Sequence, residues 1–128
     1  DWPYDLEQPL GPEILAWTRR TDLLASMTDE AVLETAWRAR SDVRQESVGW
    51  PGAEDPEVIV LRQQRGMRRA RQVDTVDAAL VGASDGDLTV AQVLGALADL
   101  LDEPVDTLVA GRLATVRELV ADGFLELP

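Results

Sequence analysis

The sequence Asp85-Gly86-Asp87-Leu88-Thr89-Val90-Ala91-Gln92-Val93-Leu94 contains a turn signal followed directly by a helix start. Asp-Gly favours a turn, and Thr89 and Gln92 have the spacing of a capping box, in which two side chains satisfy backbone N–H groups at a helix N-terminus. Apolar residues then recur on one side of the predicted helix. They are Val90, Val93, Leu94, Leu97 and Leu101.

A last helix is predicted to begin at Pro104 and to end before Gly123. Glycine at the position after a helix readily takes a positive φ, and Phe124 can fold back onto the helix as the accompanying apolar contact. A short strand is expected over 124–127. The helical spacing predicts six core residues in these two helices and just after them. They are Leu94, Leu97, Leu113, Val116, Leu119 and Phe124.

The first half of the chain has weaker signals. Residues 58–61 read as the clearest strand, Arg65-Gly66 as a two-residue hairpin turn, and 67–73 as the partner strand. Helices are predicted over about 12–20 and, after the N-cap Thr28, over about 29–38. A weak strand is expected within 41–50, a linker over 1–11 and a loop over 50–56. The sequence thus predicts an α+β protein with two parts: a helical extension and linker (1–57) and a second unit (58–128), packed together.

Composition excludes most catalytic and metal chemistry. The 128 residues include no Cys, no His and no Lys, and all basic residues are Arg. Thiolate or histidine metal sites, Schiff bases and P-loop phosphate binding are therefore excluded. The segment Ser84-Asp85-Gly86-Asp87 lacks the spaced ligands of a calcium loop, so it reads as a turn. We expect no catalytic residue, no cofactor site and no metal site in this chain.

The charge balance bears on partners and location. The net charge of -12 repels nucleic acid and anionic membranes, so any anion-binding function must be local. No apolar run approaches the roughly 20 residues that span a bilayer, and no signal peptide is visible. The chain opens without Met on Asp1-Trp2, and we expect it to be the C-terminal part of a larger cytoplasmic protein.

One local concentration of positive charge stands out. Five arginines lie between Glu57 and Asp74 with no acid among them. If Arg65-Gly66 is a two-residue turn, Arg62 lies opposite Arg69, with Arg71 on the same face, and like charges so placed require a nearby anion. That anion is either a phosphate of RNA or a carboxylate of this chain or of a neighbouring domain. The candidate contact residues are Arg62, Arg65, Arg68, Arg69 and Arg71.

Residues from about Val58 to Leu127 resemble the winged-helix pattern of PqqD-like domains. In that pattern a β-hairpin precedes three helices and a short terminal strand. The matching residues are Ala79-Leu80, the 85–94 stretch quoted above, and Val116-Arg117-Glu118-Leu119-Val120-Ala121-Asp122-Gly123-Phe124-Leu125. The resemblance implies a winged-helix-like unit over 58–128.

Nearly the whole chain also resembles the C-terminal domain of a family of high-GC bacterial class I methyltransferases of the small-methyltransferase type. The match includes residues 7–13, Trp17, Leu61-Arg62-Gln63 and Gly66-Met67-Arg68. The resemblance implies a parent enzyme that uses S-adenosylmethionine and acts on RNA or a translation component. The Gly-rich cofactor loop and the Asn-Pro-Pro-aromatic motif of such catalytic domains are absent from this chain.

Three functions remain open at this point. The chain could be an accessory domain that packs on a methyltransferase core and helps to present the substrate. It could bind an extended peptide or protein segment at a sheet edge, as the PqqD resemblance implies. It could bind nucleic acid, although acids offset Arg112 and Arg117 in the last helix. A large exposed apolar patch involving Trp2, Tyr4 or Trp17 would favour the first, and an open edge strand the second.

Overall fold

The computed structural model describes residues 11–48 and 58–128, which form five helices and five short strands. The predicted α+β class is confirmed. The helices are α1 (Gly11–Ser26), α2 (Asp29–Glu34), α3 (Thr75–Ala83), α4 (Val90–Leu101) and α5 (Val105–Ala121). The strands are β1 (Arg38–Ala39), β2 (Val43–Val48), β3 (Val58–Gln63), β4 (Ala70–Val73) and β5 (Leu125–Glu126). Residues 58–127 thus run in the expected order of hairpin, three helices and short strand.

Two small antiparallel sheets organise the strands. β2, β3 and β4 form one sheet in that order, and β1 pairs with β5 in the other. The β2–β3 and β1–β5 pairings each join a strand before position 57 to a strand after it. The buried cluster does the same, because Leu24, Val32 and Trp37 pack with residues of the later helices. Residues 11–48 therefore contribute to the same core as residues 58–128.

The helix ends follow the predicted side-chain chemistry. The Thr28 hydroxyl accepts the Ala31 N–H at 3.1 Å, and Thr89 and Gln92 form both hydrogen bonds of the capping box. Gly123 has a φ of 86°. The Gly123 and Phe124 amides donate to carbonyls of the last turn of α5. This pair of hydrogen bonds is typical of a helix that ends at a glycine. These predictions are confirmed.

The core prediction is largely confirmed. Leu94, Val116, Leu119 and Phe124 are at most 1% exposed. Leu97 and Leu113 are partly buried and pack against this cluster. The two apolar helical faces therefore meet, as their spacing requires.

The two N-terminal helices differ in length from the predictions. α1 continues to Ser26 instead of ending near residue 20, since Leu23 and Leu24 carry its inner face onward. α2 ends at Glu34, and the predicted continuation to residue 38 is wrong. The Trp37 indole is buried and donates to the Val32 carbonyl at 3.1 Å. The helix ends here because Trp37 is buried in the core and Arg38 and Ala39 pair with β5.

The hairpin between β3 and β4 has a longer loop than predicted. Arg62 pairs with Ala70 instead of Arg69, so the register differs by one residue from that of a two-residue turn. Gly66 and Arg68 both have positive φ, 66° and 50°. The Gln63 side chain accepts the Arg69 N–H at 3.1 Å and donates to the Asp122 carbonyl at 2.7 Å. These bonds hold the wider loop against the end of α5.

Some sequence predictions fall outside the described residues. They are residues 1–10 of the linker predicted over 1–11, with Trp2 and Tyr4, and the loop over 50–56; Gly11, the last predicted linker residue, begins α1. Within 41–50, the predicted strand is confirmed as β2 over 43–48. Among the described residues, no helix has the length and apolar character that crossing a bilayer requires.

Candidate partner-docking site

The five predicted arginines do not form one surface. Residues that face each other in an antiparallel pair share a sheet face, so Arg71, opposite buried Leu61, lies on the helix-covered face. Arg62, opposite Ala70, lies on the outer face. The shared face predicted for Arg62, Arg69 and Arg71 is therefore wrong, because the register differs by one residue.

Three of these arginines pair with carboxylates of the chain itself. Arg62 Nε lies 2.8 Å from Glu46 Oε2, and Arg71 Nη2 lies 2.6 Å from Glu118 Oε2. Arg69 Nη1 is 3.7 Å from Asp122 Oδ1. The local excess of positive charge read from the sequence is thus offset by acids that folding brings from other elements.

Arg65 and Arg68 occupy the β3–β4 loop and are exposed. Within 11–48 and 58–128, neither guanidinium takes part in an ion pair. The Arg65 backbone is well held, because its N–H donates to Asp42 and its carbonyl accepts from Arg40. These two side chains are the part of the predicted anion site that stays available to a partner.

A second arginine group, which the sequence did not reveal, lies at the C-terminal end of α5. A methyl group at Gly123 would lie 3.2 Å from Arg20 Nη2 and 3.4 Å from Arg40 Nη1. Arg20 Nε donates to the Ala121 carbonyl at 3.3 Å. Burial, followed by the charge of Arg40, lowers the pKa of Arg20. Arg20 and Arg40 are far apart in sequence, so no local pattern could have paired them.

Asp42 is the main counter-charge of Arg40 within this group. Its side chain is 8% exposed and accepts Arg40 Nε at 2.5 Å and Arg40 Nη2 at 2.8 Å. It also accepts the amide N–H groups of Gln64 and Arg65. Burial alone would raise the pKa of Asp42, but the hydrogen bonds from Arg40 and the Arg65 amide outweigh it and lower that pKa. This arrangement joins the hairpin loop to the β1–β2 turn, which is a structural role.

A further acidic pair lies at the start of α3. Arg112 Nη1 contacts both Asp74 Oδ2, at 2.5 Å, and Asp77 Oδ1, at 3.0 Å. Burial and then the neighbouring Asp74 raise the pKa of Asp77. Asp74 also caps α3 by accepting the Asp77 N–H. Capping and pairing with Arg112 account for both carboxylates.

Exposed apolar side chains cluster on the first turns of α1. Ile14, Leu15 and Trp17 are 42%, 50% and 40% exposed, and we call these three residues the α1 surface. The helix is anchored further along, on the side that Trp17 shares with Leu24 seven residues later. Arg20 holds the end of α5, and Leu24 enters the core. A fixed helix that presents Trp, Leu and Ile to solvent is typical of a protein-docking surface.

A groove runs between β2 and α3, with a volume of about 170 Å³. Most of its lining is apolar, and we call it the β2–α3 groove. Its lining residues are Ala39, Val43, Gln45, Leu61, Ala78, Val81 and Gly82. Within the described part of the chain, β2 pairs on its β3 side alone, so its other edge borders this groove. The groove and the strand edge together could receive an extended segment.

The described ranges contain no group of three or more acidic side chains arranged to hold a metal ion.

A family model described as a domain of unknown function (DUF7782) matches residues 15–127. No curated protein and no solved structure matches the chain. The match covers most of the chain and includes every residue of the buried core described above.

Proposed function

The chain belongs to the DUF7782 family, and we propose that it is a non-catalytic accessory domain that docks through the α1 surface onto a catalytic domain of the same protein. The observation that carries this proposal is the exposure of Ile14, Leu15 and Trp17 on a helix that Arg20 and Leu24 anchor to the rest of the domain. Burial of exposed apolar side chains of this size against a partner removes them from water and stabilises the complex.

The catalytic partner proposed is a class I methyltransferase domain, on the resemblance given above. In this proposal that domain binds S-adenosylmethionine, and the present chain helps to present RNA or a translation component to it. The exposed Arg65 and Arg68 would supply local positive charge on an otherwise acidic domain. The complete protein would act in the cytoplasm.

The test begins with the natural reading frame that encodes this chain. The remainder of its product, expressed separately, should bind the 128-residue chain in a calorimetric titration. Leu15→Asp should weaken binding at least about tenfold, because a charge would be buried without a partner. Ala25→Asp is the matched control, since it adds the same charge at an exposed position of α1 beyond the α1 surface. Equal binding by both variants would rule out the α1 surface as the docking site.

The two parts of the proposal can fail separately. The remainder could bind the chain and yet show no binding of S-adenosylmethionine and no methyl transfer. That result would support the docking role and contradict the methyltransferase proposal. If the remainder is a methyltransferase that does not bind the chain, the docking role falls.

A second candidate function is peptide binding at the β2 edge. The observation that favours it is the β2–α3 groove beside an edge strand of six residues. An extended peptide could add a strand there and place alternate side chains in the groove. In an amide chemical-shift titration, such a peptide should shift Gln45, Ser47 and Ala78 and leave α1 unchanged.

A further inference from the structure

The edge of β2 that pairs with no described strand has a defined hydrogen-bonding pattern. The Gln64 N–H donates to the Asp42 carbonyl, and the strand register pairs Arg44 with Arg62 and Glu46 with Val60. Antiparallel ladders alternate, so Arg44 and Glu46 direct their peptide groups to β3. Gln45 and Ser47 therefore direct their N–H and C=O groups away from the sheet.

The outer face of the same strand has unbalanced charges. Arg44 lies directly opposite Arg62, an unfavourable pairing of like charges. Arg62 is compensated by Glu46 at 2.8 Å. The Arg44 guanidinium contacts two carbonyls, those of Ser41 and Val43, and among the described residues it has no carboxylate partner. Within residues 11–48 and 58–128, Arg44 is therefore a cation without an anion, and it lies beside the unpaired edge of β2.

We infer that the β2 edge binds β2 of a second copy of this chain, in antiparallel register centred on Gln45. The parity of this edge permits the register, because Gln45 and Ser47 direct both peptide groups outward and Val43 directs its carbonyl outward, while the Val43 N–H donates to the Arg40 carbonyl. Gln45 then exchanges both backbone hydrogen bonds with Gln45 of the second copy, and Val43 lies opposite Ser47. The interface has two-fold symmetry, as most homodimers do.

The side chains support this register. It places Arg44 directly opposite Glu46 of the second copy, and the symmetry repeats the pair on the other side. Each Arg44 thus receives a carboxylate that the described residues of its own chain do not provide, and Glu46 still has an oxygen for it while Oε2 contacts Arg62. Because each chain has a net charge of -12, unspecific self-association is disfavoured, and pairing depends on this local complementarity.

A second copy fits the edge better than an unrelated peptide does. A peptide would need its own acidic residue opposite Arg44 and its own basic residue opposite Glu46. The chain supplies both, two positions apart, in the order that antiparallel pairing requires. The β2–α3 grooves of the two copies then lie on the same face of one joined sheet.

Charge reversal gives a sharp test by sedimentation equilibrium. The wild-type chain, of 14.0 kDa, should show concentration-dependent dimerisation. Arg44→Glu places glutamates opposite each other, and Glu46→Arg places arginines opposite each other, so each variant alone should dimerise at least about tenfold more weakly. An equimolar mixture of the two variants restores both oppositely charged pairs and should form a heterodimer.

Gln72→Arg is the matched control, because Gln72 is exposed on β4, the other edge strand, and shares the outer face through its pairing with Val60. It should dimerise as the wild type does. Circular dichroism of each variant checks that it is folded. A wild-type chain that stays monomeric at all concentrations would overturn the inference, and so would a mixture that associates no better than its components. A monomer that instead binds an extended peptide at Gln45 and Ser47 would also overturn it, in favour of peptide binding.

Discussion

Arg40 and Asp42 form a two-point ion pair across the β1–β2 turn, with Nε–Oδ1 and Nη2–Oδ2 distances of 2.5 and 2.8 Å. Asp42 also accepts the amides of Gln64 and Arg65, so one buried carboxylate satisfies donors from two segments. Neutralising it should weaken all of these hydrogen bonds at once. The pair is therefore a sensitive point of the fold.

Asp42→Asn should lower the free energy of unfolding at pH 7 by about 2–3 kcal/mol, since hydrogen bonds to a charged group are lost or weakened. Urea denaturation at pH 7 measures this. Glu126→Gln is the comparison, because the Arg38–Glu126 pair is largely exposed and should contribute under about 1 kcal/mol. Equal losses in the two variants would contradict the assignment.

The Asp42 contribution should depend on pH in a defined direction. The folded state lowers the pKa of Asp42, so its stabilising effect is complete above the unfolded value of about 3.9. It is lost as the pH falls through the lower folded value. Urea midpoints measured between pH 7 and pH 2 should show the wild type and Asp42→Asn converging below about pH 4. A gap that stays constant to pH 2 would exclude this linkage.

Asp77→Asn should behave in the opposite way. Burial, and then Asp74, raise the pKa of Asp77, so the folded state disfavours its charged form at neutral pH. The asparagine side chain keeps an oxygen that can accept from Arg112, whose Nη1 lies 3.0 Å from Asp77 Oδ1 in the wild type. We expect no loss of stability at pH 7, and a gain over the wild type that fades as the pH falls through the folded pKa. Thermal melts at pH 7 and pH 4 test this, and a loss above about 1 kcal/mol at pH 7 would refute it.

Two leucines of α4 should differ sharply in their contribution to stability. Leu94 is fully buried, whereas Leu100 is 82% exposed. Leu94→Ala should cost about 2–5 kcal/mol, and Leu100→Ala should stay within about 0.5 kcal/mol. Chemical denaturation of both variants decides the matter. A small effect at Leu94 would mean that the register of α4 against the core is wrong.

Replacing Gly66 should destabilise the fold, because its backbone has a positive φ and the Glu13 side chain lies close to it. Its φ is 66°, and an added Cβ would lie 2.6 Å from Glu13 Cδ. Gly66→Ala should destabilise by about 1–3 kcal/mol. Gly95→Ala, in the middle of α4 with no atom within 4 Å of the new Cβ, should instead stabilise by about 0.5–1 kcal/mol. Thermal melts of the pair should move in opposite directions, and a common direction would contradict the geometry.

The chain by itself should not bind S-adenosylmethionine. The expectation rests on the absence from the sequence of the Gly-rich cofactor loop and of the Asn-Pro-Pro-aromatic motif. A calorimetric titration with the cofactor should release no binding heat. Binding of the cofactor by this chain in the micromolar range would contradict the non-catalytic accessory role proposed above.

Local chemistry was predictable, and long-range choices were less so. Thr28, the Thr89–Gln92 box and Gly123 act within one turn of their own helix, so the sequence contains all that their placement requires. The hairpin register depends on contacts that Gln63 makes with the end of α5 and that Asp42 makes with the loop. A two-residue turn at Arg65-Gly66 is locally favourable, but these distant contacts stabilise the longer loop.

The same distinction holds for the candidate sites. The arginine cluster was evident in sequence, yet the acids that pair with it, Glu46, Glu118 and Asp122, lie on three other elements. Trp17 was recognised as a possible docking residue, and its exposure agrees with that interpretation. The open edge of β2 could not be foreseen, because the sequence of a strand does not reveal its position in a sheet.

The β1–β5 pair has a consequence for how the protein is made. It joins Arg38 to Glu126 across 88 positions of the chain, and Phe124 and Leu125 beside it are almost fully buried. A ribosome synthesises α1, α2 and Trp37 long before the residues that cover them. We therefore expect the first helices to expose apolar surface until the later helices and β5 have been synthesised. Completion of this core is a late event of biosynthesis, and chaperone protection during translation would matter most for the N-terminal third.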